Sequence, residues 1–177
     1  MEGNIKLTPK ERAMFIYLLK ILKNQGDEEY DYDNMIKALQ YGFEYHYSDV
    51  FDCIYDEELS ADGCREVLDI LEMYRGITYS YINLKRENKL AKLKDEDIRF
   101  KGFDGNNEIK QMSYTRYFIV DLDRFSEIQE FAQGNDYNSH WQMLPTYQAR
   151  LHKWKSYPMD ARYRMTEQQI IDLLNIC

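Results

Sequence analysis

The sequence predicts an all-α, multihelical fold: a single domain over residues 1–177, built around one long central helix at about 61–89. Three observations predict it. Apolar residues recur at steps of three and four, the spacing of one helix face. Capping residues stand immediately ahead of those runs. From Ser60 onward Val67, Ile70, Tyr74, Ile77, Tyr81 and Leu84 hold a heptad seam. A division into two helical lobes, 1–100 and 101–177, is the competing organisation.

Thr8-Pro9-Lys10-Glu11 places a hydroxyl at an N-cap, proline at the first helical position and glutamate three residues after the cap. Phe15, Leu18, Leu19 and Leu22 then mark the buried face, and Gly26 stops the run. After an acidic linker at 27–33, Met35, Ile36, Leu39 and Phe43 support a second helix from about Asn34, with Gly42 near its end. The stretch Tyr45 to Tyr55 reads equally as a strand or as a short helix capped at Ser48-Asp49.

Ser60 is the N-cap of the central helix, and Asp62 suits its positive end. About 29 residues would span roughly 44 Å, enough to cross a domain of this size. Gly76 inside it costs ~1 kcal/mol relative to alanine and marks a place to bend. A helical turn is expected at Asp95 to Ile98. Beyond the turn-rich loop 100–105, Asp104 is the candidate cap for a helix from about Asn106 to Leu122, with strand as the competitor at Tyr117 to Val120. A short helix from Phe125 to Ala132 ends at Gly134, and the polar loop 133–139 is expected to be the most mobile internal segment. Leu144-Pro145 opens a helix carrying Tyr147, Leu151 and Trp154. Thr166-Glu167-Gln168-Gln169, a second capping box, opens the last.

Composition narrows the function classes. Hydrophobic residues make up 44% and charged residues 31% of the chain, a globular balance. The longest apolar run, Ala13 to Leu19, is far short of the ~20 residues that span a bilayer. The opening residues do not read as a secretory signal. Cys53, Cys64 and Cys177 are scattered and unpaired in spacing, so a cytoplasmic protein without a disulfide or zinc framework is expected. The net charge of -8 opposes non-specific nucleic-acid binding.

The charge is nevertheless polarised. Residues 27–72 carry 15 acids against Lys37 and Arg65, a net -13. Residues 150–164 carry five bases against Asp160, a net +4, and residues 85–101 add +3. Sixteen tyrosines suit half-buried rims and protein interfaces.

The run Cys64-Arg65-Glu66-Val67-Leu68-Asp69-Ile70-Leu71-Glu72-Met73-Tyr74 resembles the C-R-x-x-x-D-I-x-E-M-Y signature of the YfbU family. Phe100-Lys101-Gly102-Phe103-Asp104 with the later Glu108 resembles its F-x-G-F-D signature, and Tyr147 to Trp154 with Pro158 its C-terminal pattern. The resemblance covers nearly the whole chain, least well at 27–47 and at the ends. It implies an all-helical, bacterial, cytoplasmic protein, and it implies no reaction.

Asp69 and Glu72 stand at i and i+3 with Arg65 one turn earlier. Such carboxylates can do acid–base work or hold a hard cation, and equally can be pinned as structural ion pairs. Arg65, Asp69, Glu72 and Asp104 are therefore the candidate polar cluster, at a helix–loop junction. His46, His140 and His152 lack metal-ligand spacing, Cys64 at a helix start lacks a partnered histidine, and no phosphate loop or nucleophile elbow occurs. No cofactor or metal is called for.

Three functions follow in order. The first is a protein-binding or regulatory module that self-associates, its association weakening as salt rises. The second is a small hydrolase with its carboxylate site on the long helix. The third is a nucleic-acid-associated protein using residues 150–164.

Overall fold

A computed structural model describes residues 5–26, 30–51, 54, 58–132 and 136–176. They form seven α-helices joined by short 3₁₀ and π turns. The one β feature among them is an isolated bridge between Phe103 and Asn138. The all-α expectation holds. Two compact units divide at 58/59, and residues on both sides of position 100 share one core. Ile98, Phe100 and Phe103 are buried in the same cluster as Ile70, Tyr74, Ile119, Tyr147 and Trp154.

The first unit is a helical hairpin, α1 (Pro9–Asn24) and α2 (Tyr32–Tyr41), followed by 3₁₀ turns at Glu44–His46 and Ser48–Val50. Thr8 and Glu11 complete the expected capping box. Asp31 caps α2 by accepting from the N–H of Asn34, so that helix starts two residues earlier than its apolar spacing suggests. Arg12 crosses the hairpin to the carbonyl of Leu39 at 2.9 Å. The core is Leu19, Tyr32, Ile36, Leu39 and Tyr47, with Phe15 and Ile16 packed against it. The buried face of α1 therefore runs through Phe15, Ile16 and Leu19. Leu18 and Leu22, expected on that face, are 52% and 41% exposed instead. The strand alternative at 45–55 is not adopted at 45–51, and Asp52, Cys53 and Tyr55 lie outside the described residues.

The second unit is organised by α3 (Ala61–Arg86), capped by the Ser60 hydroxyl on the N–H of Gly63. Its 26 residues span roughly 39 Å. Val67, Ile70, Tyr74, Ile77 and Tyr81 are buried as the heptad reading expects, but so are Leu71, Met73, Gly76, Thr78 and Ser80. The helix is wrapped on several sides rather than seamed along one edge.

Gly76 serves a close approach. A Cβ there would lie 2.6 Å from the carbonyl oxygen of Arg162. Its own carbonyl accepts from the Ser80 hydroxyl, whose oxygen in turn accepts from the N–H of Met165.

Around α3 stand α4 (Ile109–Arg116), α5 (Ser126–Ala132), α6 (Leu144–Lys155) and α7 (Glu167–Leu174). The expected helix at 106–122 starts at Ile109, and past Arg116 it widens into a π turn at Tyr117–Asp121 that buries Ile119. The strand formers at 117–120 thus give a widened helical turn, with Ile119 buried. The loop expected to be mobile is pinned at its far end. Phe103 N–H donates to Tyr137 O at 2.9 Å and Ser139 N–H to Phe103 O at 3.0 Å. Gly134 and its neighbours lie outside the described residues. Gly102, at φ +85°, makes that pairing possible, since a Cβ would sit 1.9 Å from the oxygen of Tyr137.

Candidate functional site

The four residues singled out from the sequence each have a separate partner, and no hydrogen bond or ion pair joins any two of them. Arg65 pairs with Asp62 at 2.7 Å on an open surface. Asp69 takes the ammonium of Lys155 on α6. Glu72 accepts from Arg75 at 3.1 Å and from the hydroxyl of Tyr163. Asp104 is buried and accepts from the N–H of Asn106 and the amide of Asn107, which hold its carboxyl below the usual range, Asn107 most strongly. The shared helix face put Asp69 and Glu72 side by side, as read. Beyond Arg75 on the same helix, what they meet comes from α6 and the 161–163 turn, dozens of residues away.

Glu72 belongs to a half-buried joint. Arg75 bridges Glu72 and Glu127 while its guanidinium lies 3.8 Å over the Phe125 ring. Burial, then the hydrogen bond to Glu72, pushes the Tyr163 phenol up to about 12. The arrangement ties α3, α5 and the 161–163 turn together.

Glu108 was legible only as a motif letter and is a keystone. Its buried carboxylate accepts from the N–H groups of Asp104 (2.9 Å), Met143 (3.0 Å) and Leu144 (2.7 Å). A negative charge there closes the N-terminus of α6. Glu167 works in a similar way. One of its oxygens accepts from Ala91, Lys92 and Leu93 at 2.7–2.9 Å, and these bonds, Leu93 first, hold its carboxyl below the ordinary 4.5.

A broad cleft of ≈ 950 Å³ opens beside Tyr81, Lys85, Asp95, Arg99, Glu130 and Phe131. Most of its charged groups are partnered: Lys85 and the Tyr81 hydroxyl both donate to Asp95, and Arg99 donates to the carbonyl of Phe131. Lys85, then Tyr81, depresses the Asp95 carboxyl, while burial, then Asp95, raises the Tyr81 phenol. Neither group exchanges a proton near neutrality.

Among the described residues no group of three His, Cys, Asp or Glu stands together as metal ligands. Cys64 is half-buried, 3.8 Å from the carbonyl of Leu59. His46 lies at the surface beside Asp49 at 3.3 Å, and His140 and His152 are exposed. Within the 150–164 basic run, Arg150 closes the C-terminus of α7 through the carbonyls of Leu174 and Ile176 and also reaches the Tyr74 hydroxyl. Arg162 donates to the carbonyls of Tyr157 and Lys155. Among the described residues no helix is long and apolar enough to cross a membrane.

The surface that stands out is on α1. Met14, Tyr17, Leu18 and Ile21 are 63%, 67%, 52% and 53% exposed. Their spacing of i, i+3, i+4 and i+7 puts all four on one face, opposite Phe15, Ile16 and Leu19. This helix is apolar on both sides. The signal was present in the sequence, where Met14, Tyr17 and Ile21 alternate with the residues assigned to the core.

Compared with known proteins, the YfbU domain matches residues 5–176. The chain belongs to the YfbU family. YfbU membership agrees with a relative of similar length, the UPF0304 protein MJECS11 of Methanocaldococcus jannaschii. That protein is 35% identical over 159 residues, covering 89% of this chain and 90% of the relative. In this YfbU domain Asp69, Glu72 and Glu108 make joints between elements, and Asp104 holds its own loop.

Proposed function

We propose that this chain is a cytoplasmic protein-binding module, regulatory in role, that self-associates through the outward face of α1. The observation that carries the reading is the unpartnered apolar stripe Met14, Tyr17, Leu18 and Ile21. Four side chains more than half exposed offer on the order of 400 Å² per protomer, the apolar centre of a standard ~800 Å² footprint. The stripe is self-complementary. An antiparallel pair about a two-fold axis between positions 17 and 18 sets Met14 on Ile21 of the second copy and Tyr17 on its Leu18. Lys10 then lies opposite Gln25, so no cation meets a cation.

Further support comes from the chemistry elsewhere. Asp69, Glu72 and Asp104 are committed to separate structural partners, which leaves a carboxylate hydrolase without a shared site. Arg150, Lys155 and Arg162 are spent within the chain, which weakens a phosphate-binding surface at 150–164. The three scattered cysteines suit a reducing compartment.

Sedimentation velocity across concentration tests the reading. The expected result is a concentration-dependent dimer, its assembly slowed by raised salt through the polarised charge. Leu18→Glu brings two carboxylates to the axis and should weaken the dimer at least ~tenfold, about 1.4 kcal/mol. A monomer at every concentration and ionic strength refutes the proposal.

A further inference from the structure

Beside α2, the two 3₁₀ turns bound a second surface, apart from the α1 stripe. It is a shallow hollow of ≈ 520 Å³. Met35, Ala38 and Phe43 give it an apolar floor, and Asp31, Asp49 and His46 stand at its rim. Among the described residues Lys37 is the one lysine or arginine lining it, near enough to Asp33 to help Lys23, the larger influence, hold that carboxyl down.

Two further rings flank the hollow. Tyr41 stacks on Phe43 at 5.7 Å and 27°, and Tyr45 meets His46 edge-on at 5.3 Å. Tyr41, Phe43 and Tyr45 are 72%, 54% and 79% exposed. In the sequence, residues 27–58 hold 11 acids against Lys37, a net -10.

We infer that this hollow seats a lysine- or arginine-bearing segment of a different protein. A long cationic side chain has an aliphatic stem that gains from an apolar wall and a head group that gains from carboxylates and ring faces. The floor, the Asp31 and Asp49 carboxylates and the Tyr41–Phe43 pair supply all three. Asp31 uses its oxygens on Asn34 and Asp49 one oxygen on His46, and each carboxylate keeps accepting capacity beyond those bonds. The acidic charge of residues 27–58, with Asp31 and Asp49 lining the hollow, favours a basic segment in encounter and disfavours nucleic acid. A second copy is a poor source of that segment, because three of the five bases in its most basic run, Arg150, Lys155 and Arg162, are held within the chain.

Fluorescence anisotropy with a labelled Lys/Arg-rich peptide, read on the full chain and on its Leu18→Glu variant, tests this apart from self-association. The basic peptide binds both proteins, more weakly as salt rises, and Gln- and Glu-substituted versions do not bind. Phe43→Ala and Asp49→Asn each lower affinity roughly three- to tenfold, and Lys37→Gln raises it. These side chains are exposed, so unchanged far-UV circular dichroism accompanies the loss; should one variant misfold, the gain in Lys37→Gln still decides. Absence of binding, equal binding of the Gln peptide, preference for single-stranded DNA, or affinity indifferent to all three substitutions overturns the inference.

Discussion

Gly76 and Thr115 show how single atoms tune the larger unit. At Gly76 a methyl group would meet the backbone carbonyl of Arg162, which cannot rotate away as a side chain could. Gly76→Ala, a favourable change in an isolated helix, should here destabilise by about 1–3 kcal/mol, visible as a lowered denaturation midpoint at unchanged slope. The sequence marked Gly76 as a cost of ~1 kcal/mol within a helix; the reason for tolerating it lies 86 residues away. Thr115 is the opposite case. It is fully buried, and its hydroxyl has no hydrogen-bond partner. Thr115→Val keeps the shape and removes an unmet donor, so a gain of about 1 kcal/mol is expected. Calorimetry should show the melting temperature rising by roughly 2–4 °C.

At the scale of elements, helix starts were legible because caps are local. Thr8, Ser60 and Thr166 each accept from the backbone N–H three residues on, as their neighbours in sequence imply. The π turn was not legible, since aromatic and β-branched residues at 117–120 suit several backbones. The candidate polar cluster was half legible. Helical spacing places Asp69 and Glu72 on one face, but a face does not say that Lys155 and Tyr163 arrive there.

Glu167 offers the sharpest test of an element-level contact. Its folded pKa is depressed, so its contribution is fully present above the ordinary value of 4.5 and is lost as pH falls through the folded value. Glu167→Gln should therefore be less stable than the native chain at pH 7, with the gap closing as the solution is acidified below pH 4.5. Urea melts of both proteins across that range measure it, and a gap independent of pH would rule the contact out as its source.

The whole molecule divides its stability unequally. Residues 59–177 contain the large cluster around α3, closed by the Glu108, Arg150 and Glu167 caps. Expressed alone, that segment should unfold in one cooperative transition, with coincident circular-dichroism and tyrosine-fluorescence curves. Among the described residues of the hairpin unit, six apolar side chains are buried: Leu19, Tyr32, Ile36, Ala38, Leu39 and Tyr47. A core so small sits near the margin at which a chain folds unaided.

If the stripe Met14, Tyr17, Leu18 and Ile21 is where copies meet, the hairpin's fold and its abundance become one quantity. Mass action then raises its melting point with every increase in protein concentration, while dilution loosens it without any change of solvent. The outward grease on α1 would act as a gauge of copy number.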